Sequence, residues 1–298
     1  MQVGLVGLGK MGGNMRTRIR AAGHTVIGYD TNQEISDSTD LADMIKQLGD
    51  SPRVVWVMVP VSVLDPVMND LAGLLSEGDI VIDGGNSHWG GDQPRADFLG
   101  AKGIHFIDCG VSGGVWGLEN GYALMCGGDA EDVAVVQPIF DALKPEGPYG
   151  FVHAGDHGAG HFAKMVHNGM EYAIMQAYAE GWELMEAADV VKDVPATFES
   201  WREGTVIRSW LLDLIVRALN DDPALAKVRG YAEDSGEGRW TMDAAIDLAV
   251  PMPALAAALF ARFASRQDDS PAMKMVAAMR NQFGGHAMQR ESASIDEI

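Results

Sequence analysis

The chain has 298 residues, 47% hydrophobic and 21% charged with 36 glycines, which excludes disordered and collagen-like classes and leaves room for one large domain or two ordinary ones. Its 22 basic and 42 acidic side chains give a net charge of −20, which argues against a broad nucleic-acid or anionic-membrane surface. The two cysteines, Cys109 and Cys126, lack the spacing of a zinc knuckle or a disulfide framework.

The first half alternates short apolar runs with helical segments. Strands are predicted over 2–6, 25–29, 54–59, 80–83, 105–108, 122–126 and 151–153. Their unalternating hydrophobicity suits a parallel sheet covered by helices on both faces. Segments 13–22, 69–75 and 131–143 supply helices between them. A strand starting at Gln2 leaves no basic, cleavable leader in the sequence, so a cytoplasmic protein is expected. From Gly160 onward only helical periods remain, over 161–188, 209–219, 242–249, 254–265 and 272–282, the last opened by Ser270-Pro271. The longest uncharged helical stretch, 248–261, contains Pro251 and Pro253 and falls short of the ~20 residues of a membrane span. The expected fold is an α/β Rossmann-like dinucleotide-binding domain over 1–158, followed by an all-helical substrate and oligomerisation domain over 159–298.

Gly7-Leu8-Gly9-Lys10-Met11-Gly12 follows the first strand and opens a helix. In that setting the first glycine permits a tight turn, the second lets a pyrophosphate approach the backbone, and the third allows close helix–strand packing. Asp30 ends the second strand, where a carboxylate accepts hydrogen bonds from the adenosine ribose. A 2′-phosphate there would meet like charge, and Thr31, Asn32 and Gln33 offer no cation to offset it, so NAD is expected over NADP.

Further on, Lys164, His167, Asn168 and Glu171 fall at i, i+3, i+4 and i+7 of a helix, where positions seven apart differ by only roughly 20° about the axis. This stripe reads either as catalytic or as a solvated face with a surface ion pair. The second reading explains the lysine and glutamate but not the His-Asn pair or Gly169. His153, His157 and His161 recur at metal-binding helical spacing, yet Gly155, Gly158 and Gly160 favour a loop, and no metal is expected.

The run Lys164-Met165-Val166-His167-Asn168-Gly169-Met170-Glu171-Tyr172 resembles the signature helix of 6-phosphogluconate dehydrogenases. Asp83-Gly84-Gly85-Asn86-Ser87, Val111-Ser112-Gly113-Gly114, Phe260-Ala261-Arg262 and Arg280-Asn281-Gln282-Phe283-Gly284-Gly285-His286 match in the same order. The single short helical half resembles the short-chain bacterial branch. The resemblance implies NAD-dependent oxidative decarboxylation of 6-phosphogluconate to ribulose 5-phosphate and CO2, in the pentose phosphate pathway. It implies Lys164 as base and acid, which suits chemistry in which a desolvated amine can lose its proton near neutral pH, and Glu171 as proton donor to C1. With Val59 and Pro60, Asn86 completes the cofactor contacts and also touches substrate. Ser112, Gly113, Gly114, His167, Asn168 and Tyr172 are implied as substrate ligands. Arg262, Arg280 and His286 are implied as phosphate-binding cations, the last two reaching a neighbouring subunit's site in a homodimer or homotetramer.

The sequence departs from the family at Ser235-Gly236-Glu237-Gly238-Arg239-Trp240, where the long-chain pattern begins with a phosphate-binding lysine; Arg239 or the Ser235 hydroxyl could compensate. Two rival readings are another β-hydroxyacid dehydrogenase, acting on 3-hydroxyisobutyrate or tartronate semialdehyde, and a non-catalytic NAD-binding protein. The pattern from His167 to Tyr172 with Glu171, and the C-terminal Arg280 and His286, weigh against the first, and the intact Lys164 and Glu171 pair against the second.

Overall fold

The computed structural model describes residues 1–50, 52–284 and 287–289. One sheet holds β1 (Gln2–Val6), β2 (Thr25–Tyr29), β3 (Val54–Val57), β4 (Ile80–Asp83), β5 (His105–Ser112), β6 (Ala123–Gly127) and β7 (Phe151–Gly155), in the order β2-β1-β3-β4-β5-β6-β7. Strands β1 to β5 are mutually parallel, as predicted. β6 pairs antiparallel with β5, and β7 runs parallel to β6, so the last two strands are reversed. Only residues 113–122 separate β5 from β6, fewer than the dozen or more that a parallel crossover needs.

The helices are α1 (Lys10–Ala21), α2 (Leu41–Gln47), α3 (Val61–Leu74), α4 (Asp92–Gly100), α5 (Gly117–Asn120), α6 (Ala130–Leu143), α7 (Ala159–Glu186), α8 (Val194–Ser200), α9 (Trp210–Asp221), α10 (Glu237–Asp247), α11 (Pro253–Ala264) and α12 (Pro271–Gly284). Alternate strand residues face opposite sides. Leu5, Trp56, Ile82 and Ile107 pack with Met15 and Ile19 of α1 and Phe140 of α6. Val55, Val57, Val81 and Phe106 pack with Leu64 and Met68 of α3 and Leu99 of α4. Both faces are therefore apolar, which is why the strands read as continuous hydrophobic runs.

Residues 1–168 form one compact unit and residues 169–298 a second. The second is helical. Val194, Phe198, Leu212 and Val216 make one core, and Tyr172, Leu255, Ala258 and Leu259 another. Ser209 caps α9 by accepting the Leu212 N–H. Met273, Met275 and Met279 of α12 are exposed rather than buried. Among the described residues no helix is long and apolar enough to cross a membrane.

Candidate active site

Along the sheet the chain order reverses between β1 and β3, the position at which doubly wound sheets open a crevice at their strand C-termini. A cavity of about 790 Å³ lies there. Gly7, Gly9, Lys10, Met11 and Gly12 line it from the glycine turn. Asp30 and Thr31 line it after β2, Val59 and Pro60 after β3, and Asn86 after β4, together with Lys164. Gly7 adopts φ +91°, closed to most other residues. A Cβ on Gly12 would lie 2.0 Å from the Gly7 carbonyl oxygen, whereas one on Gly9 would meet nothing within 4 Å. This is a turn packed tightly against its strand with open space where a pyrophosphate approaches, so the residues fit a dinucleotide. Leu8 differs from its neighbours: its side chain is buried in the core, while its N–H donates to Asp30 Oδ2 at 2.7 Å. Asp30 Oδ1 accepts the Asn32 N–H at 2.9 Å, which fixes the carboxylate.

Lys164 lies in the second turn of α7, where Nζ donates to Asn86 Oδ1 at 2.7 Å. Both partners are anchored by buried aspartates. Asp83 Oδ1 accepts the Gly85 N–H at 3.0 Å and Oδ2 the Ser87 hydroxyl at 2.6 Å, shaping the turn that carries Asn86. Asp108 of β5 accepts the N–H groups of Gly158 at 2.6 Å and His161 at 2.9 Å, holding the start of α7. The His161 ring bonds through Nδ1 to Asp92 Oδ2 at 2.8 Å. Asp92 and Asp108 stand in no motif, and Asp83 only as the first residue of a matching run. The available signal was a carboxylate closing an otherwise apolar strand, seen at Asp83 and Asp108. His161 was read only as one of three spaced histidines, and the fold separates them: His153 bonds the Gly128 carbonyl and His157 the Phe106 carbonyl.

Of the other predicted residues in this unit, Ser112 ends β5, and Gly113 and Gly114 follow with φ of +130° and +53°. His167 Nδ1 bonds Asn168 Oδ1 at 2.9 Å. The two cysteines face one another across β5 and β6, both buried and reduced. Burial raises both thiols, Cys126 to about 12, so neither is a ready nucleophile.

In the second unit Glu171 is half-buried on α7. The Tyr172 hydroxyl accepts the Ser235 N–H at 3.1 Å and lies 3.3 Å from Ser235 Oγ. The Arg262 guanidinium stacks 3.7 Å from the Tyr172 ring centre and donates to the Glu233 carbonyl. Tyr172, Ser235 and Arg262 are thus brought together. Ser235 donates its hydroxyl to Glu237 at 2.6 Å, and Arg239 forks onto Asp234 at 2.9 and 3.0 Å. That fork, joined by Arg266, holds the Asp234 carboxyl well below the usual carboxylate range and commits Arg239 to an ion pair. Arg280 is exposed on α12, and His286 lies outside the described residues.

Two family models match the chain: the NAD binding domain of 6-phosphogluconate dehydrogenase over residues 2–147 and the 6-phosphogluconate dehydrogenase C-terminal domain over residues 160–296. YqeC of Bacillus subtilis, provisionally named a 6-phosphogluconate dehydrogenase, is 41% identical over 98% of this chain and 100% of its own. An NAD(+)-dependent, decarboxylating 6-phosphogluconate dehydrogenase of Haloferax volcanii is 39% identical over 98% of this chain and 99% of its own. Among solved structures, the Plasmodium falciparum 6-phosphogluconate dehydrogenase, described with NADP+ and with 6-phosphogluconate, superposes with a TM-score of 0.82 at 25% identity. That match covers 100% of this chain and 67% of the Plasmodium one.

Proposed function

The chain belongs to the 6-phosphogluconate dehydrogenase family, and on that footing we infer that it catalyses the NAD-dependent oxidative decarboxylation of 6-phosphogluconate to ribulose 5-phosphate and CO2. NAD, held by the glycine turn and Asp30, would supply the acceptor for the C3 hydride. Lys164 takes the proton of the 3-hydroxyl as the C3 carbonyl forms, then returns it to that oxygen as CO2 leaves and the enediol appears. Glu171 delivers a proton to C1 while Lys164 takes back the proton of the enediol hydroxyl, completing the ketose. The observation that carries the reading is Lys164 Nζ, 2.7 Å from Asn86 Oδ1 and lining the same cavity as the glycine turn. Residues 1–158 hold the cofactor in this account, and 159–298 serve substrate binding and self-association.

Ser112, Gly113 and Gly114 take the carboxylate end of the substrate, and His167 and Asn168 its hydroxyls. Arg262 and Tyr172 take the phosphate, with Arg280 and His286 reaching in from a neighbouring subunit. The exposed Met273, Met275 and Met279 beside Arg280 support an α12 that packs on a second copy, at least as a dimer. The enzyme works in the cytoplasm without a metal, since the lysine supplies the acid that a Lewis acid otherwise would.

One cuvette tests the assignment: 6-phosphogluconate and NAD should yield NADH and an equal amount of CO2, with EDTA making no difference. NADH formation with 3-hydroxyisobutyrate but not with 6-phosphogluconate would reject it. Glu171→Gln should slow turnover about 100-fold, in line with loss of one general acid. Its NADH burst should survive, because proton delivery to C1 follows oxidation; an unchanged steady-state rate would remove Glu171 from that role. NAD should exceed NADP in kcat/KM by at least about tenfold, as expected for like-charge repulsion at Asp30. Asp30→Ala should narrow that ratio, and a wild-type preference for NADP would contradict the electrostatic argument.

A further inference from the structure

Buried polar groups at the foot of α7 are not used by the chemistry above. The His161 side chain is 1% exposed, and its Nε2 has no hydrogen-bond partner among the described residues. Around it stand Asp83 at the end of β4, Asp92 on α4 and Asp108 on β5, each 0% exposed. Asp83, Asp92 and His161 bring one donor atom apiece within 4.8 Å of one another. A further charged neighbour is Arg95 of α4, 3.4 Å from the other oxygen of Asp92. Cys126 of β6, raised to about 12, remains a neutral thiol. One imidazole thus faces three carboxylates. Burial raises Asp92 above the usual carboxylate range, its bond to the ring opposes that rise, and with Asp83 and Asp108 alongside, the protonated ring is favoured.

The same three aspartates organise both halves of the lysine contact. Asp83 shapes the turn bearing Asn86, and Asp108 grips the main chain of Gly158 and His161. Asp92 holds the ring of His161, one helical turn before Lys164. We propose that His161 is a positioning residue for Lys164: its ring, clasped by Asp92 and flanked by Asp83 and Asp108, locks the start of α7 at the height where the lysine reaches Asn86. The proposal rests on the reading of Lys164 as the acid and base of the reaction. Burial opposes the charge on the ring. The hydrogen bond to Asp92 and the fields of Asp83, Asp92 and Asp108 outweigh that opposition and raise His161 to about 9. The folded value lies above the ordinary 6.5, so the clasp is fully present below about pH 6.5 and is lost as pH rises through about 9.

The first test needs no substrate. In protein carrying isotope-labelled histidine, one ring signal, missing from His161→Asn, should stay protonated to near pH 9; a ring already neutral at pH 7 overturns the proposal. Asp92→Asn keeps the side-chain shape and should lower that midpoint by at least one pH unit; an unmoved midpoint counts against the clasp. A crystal structure of His161→Asn should show the contact between Lys164 and Asn86 broken, and an intact contact removes the positioning role. In kinetics, His161→Asn should lower kcat at least tenfold at pH 7 while NAD affinity, read by fluorescence titration, changes less than twofold. The ratio of wild-type to variant kcat should shrink above pH 9. An equal fall in kcat and NAD affinity, or a ratio flat with pH, shows a merely structural residue. One divalent ion per chain, lost in the variant, shows a metal ligand instead. Absence of wild-type turnover with 6-phosphogluconate would reject the substrate assignment alone, because the ring titration and the crystal structure do not depend on it.

Discussion

Lys164→Met is expected to lower kcat at least ~10³-fold, toward the upper end of what a positioned acid–base group contributes, while NAD binds within about threefold of wild type. Methionine matches the length of the lysine stem but carries no exchangeable proton, so the variant loses both acts assigned to the amine. It can neither accept the 3-hydroxyl proton nor return it during loss of CO2. A 3-keto acid supplied directly should therefore also fail to decarboxylate, which separates loss of the group from loss of hydride transfer alone. The cofactor crevice is built mainly from β1, α1 and the ends of β2 and β3, so dinucleotide binding should survive. Wild-type turnover in Lys164→Met would remove the lysine from the mechanism.

Gly110→Ala should cost about 100-fold in kcat, the scale expected when a catalytic group is displaced by about 1 Å. A Cβ on Gly110 would lie 2.3 Å from Lys164 Cβ and 2.9 Å from the Gly160 carbonyl oxygen. The second contact is backbone, and the first is the rooted end of the side chain, so neither yields by a rotamer change. The start of α7 must move off β5, carrying the lysine with it. Gly110 is not part of the glycine turn, so NAD affinity should fall far less than kcat. Equal losses in the two measurements, or a fully active variant, would show that the helix rides elsewhere.

Local chemistry was legible in the sequence. The glycine turn announces itself because each glycine answers a steric need within a few residues, and the strands stand out because helices cover both faces of the sheet. Features assembled from distant segments were not legible. Asp83, Asp92, Asp108 and His161 come from β4, α4, β5 and α7, and no short window contains their relation. The reversal of β6 was missed because its run is as apolar as a parallel strand; only the short link before it hinted at the turn back. Arg239 stood as a candidate phosphate ligand, but its partner Asp234 lies five residues back, a pairing fixed by how the chain enters α10. The methionines of α12 are exposed, and composition alone cannot separate a core destination from a subunit contact.

Because β6 and β7 run against the other strands, the chain leaves β7 at the sheet edge remote from the crevice. It then climbs beside β5, with Gly158 and His161 level with Asp108 and Lys164 level with Gly110. The amine is delivered by a screw rather than by a loop, and its arrival depends on the number of residues wound below it. Inserting one residue between Gly160 and His161 would swing the lysine by about 100° and advance it by about 1.5 Å, out of reach of Asn86. The stretch from Gly158 to Lys164 should therefore resist any change in length, although its start looks like an ordinary connection between a strand and a helix.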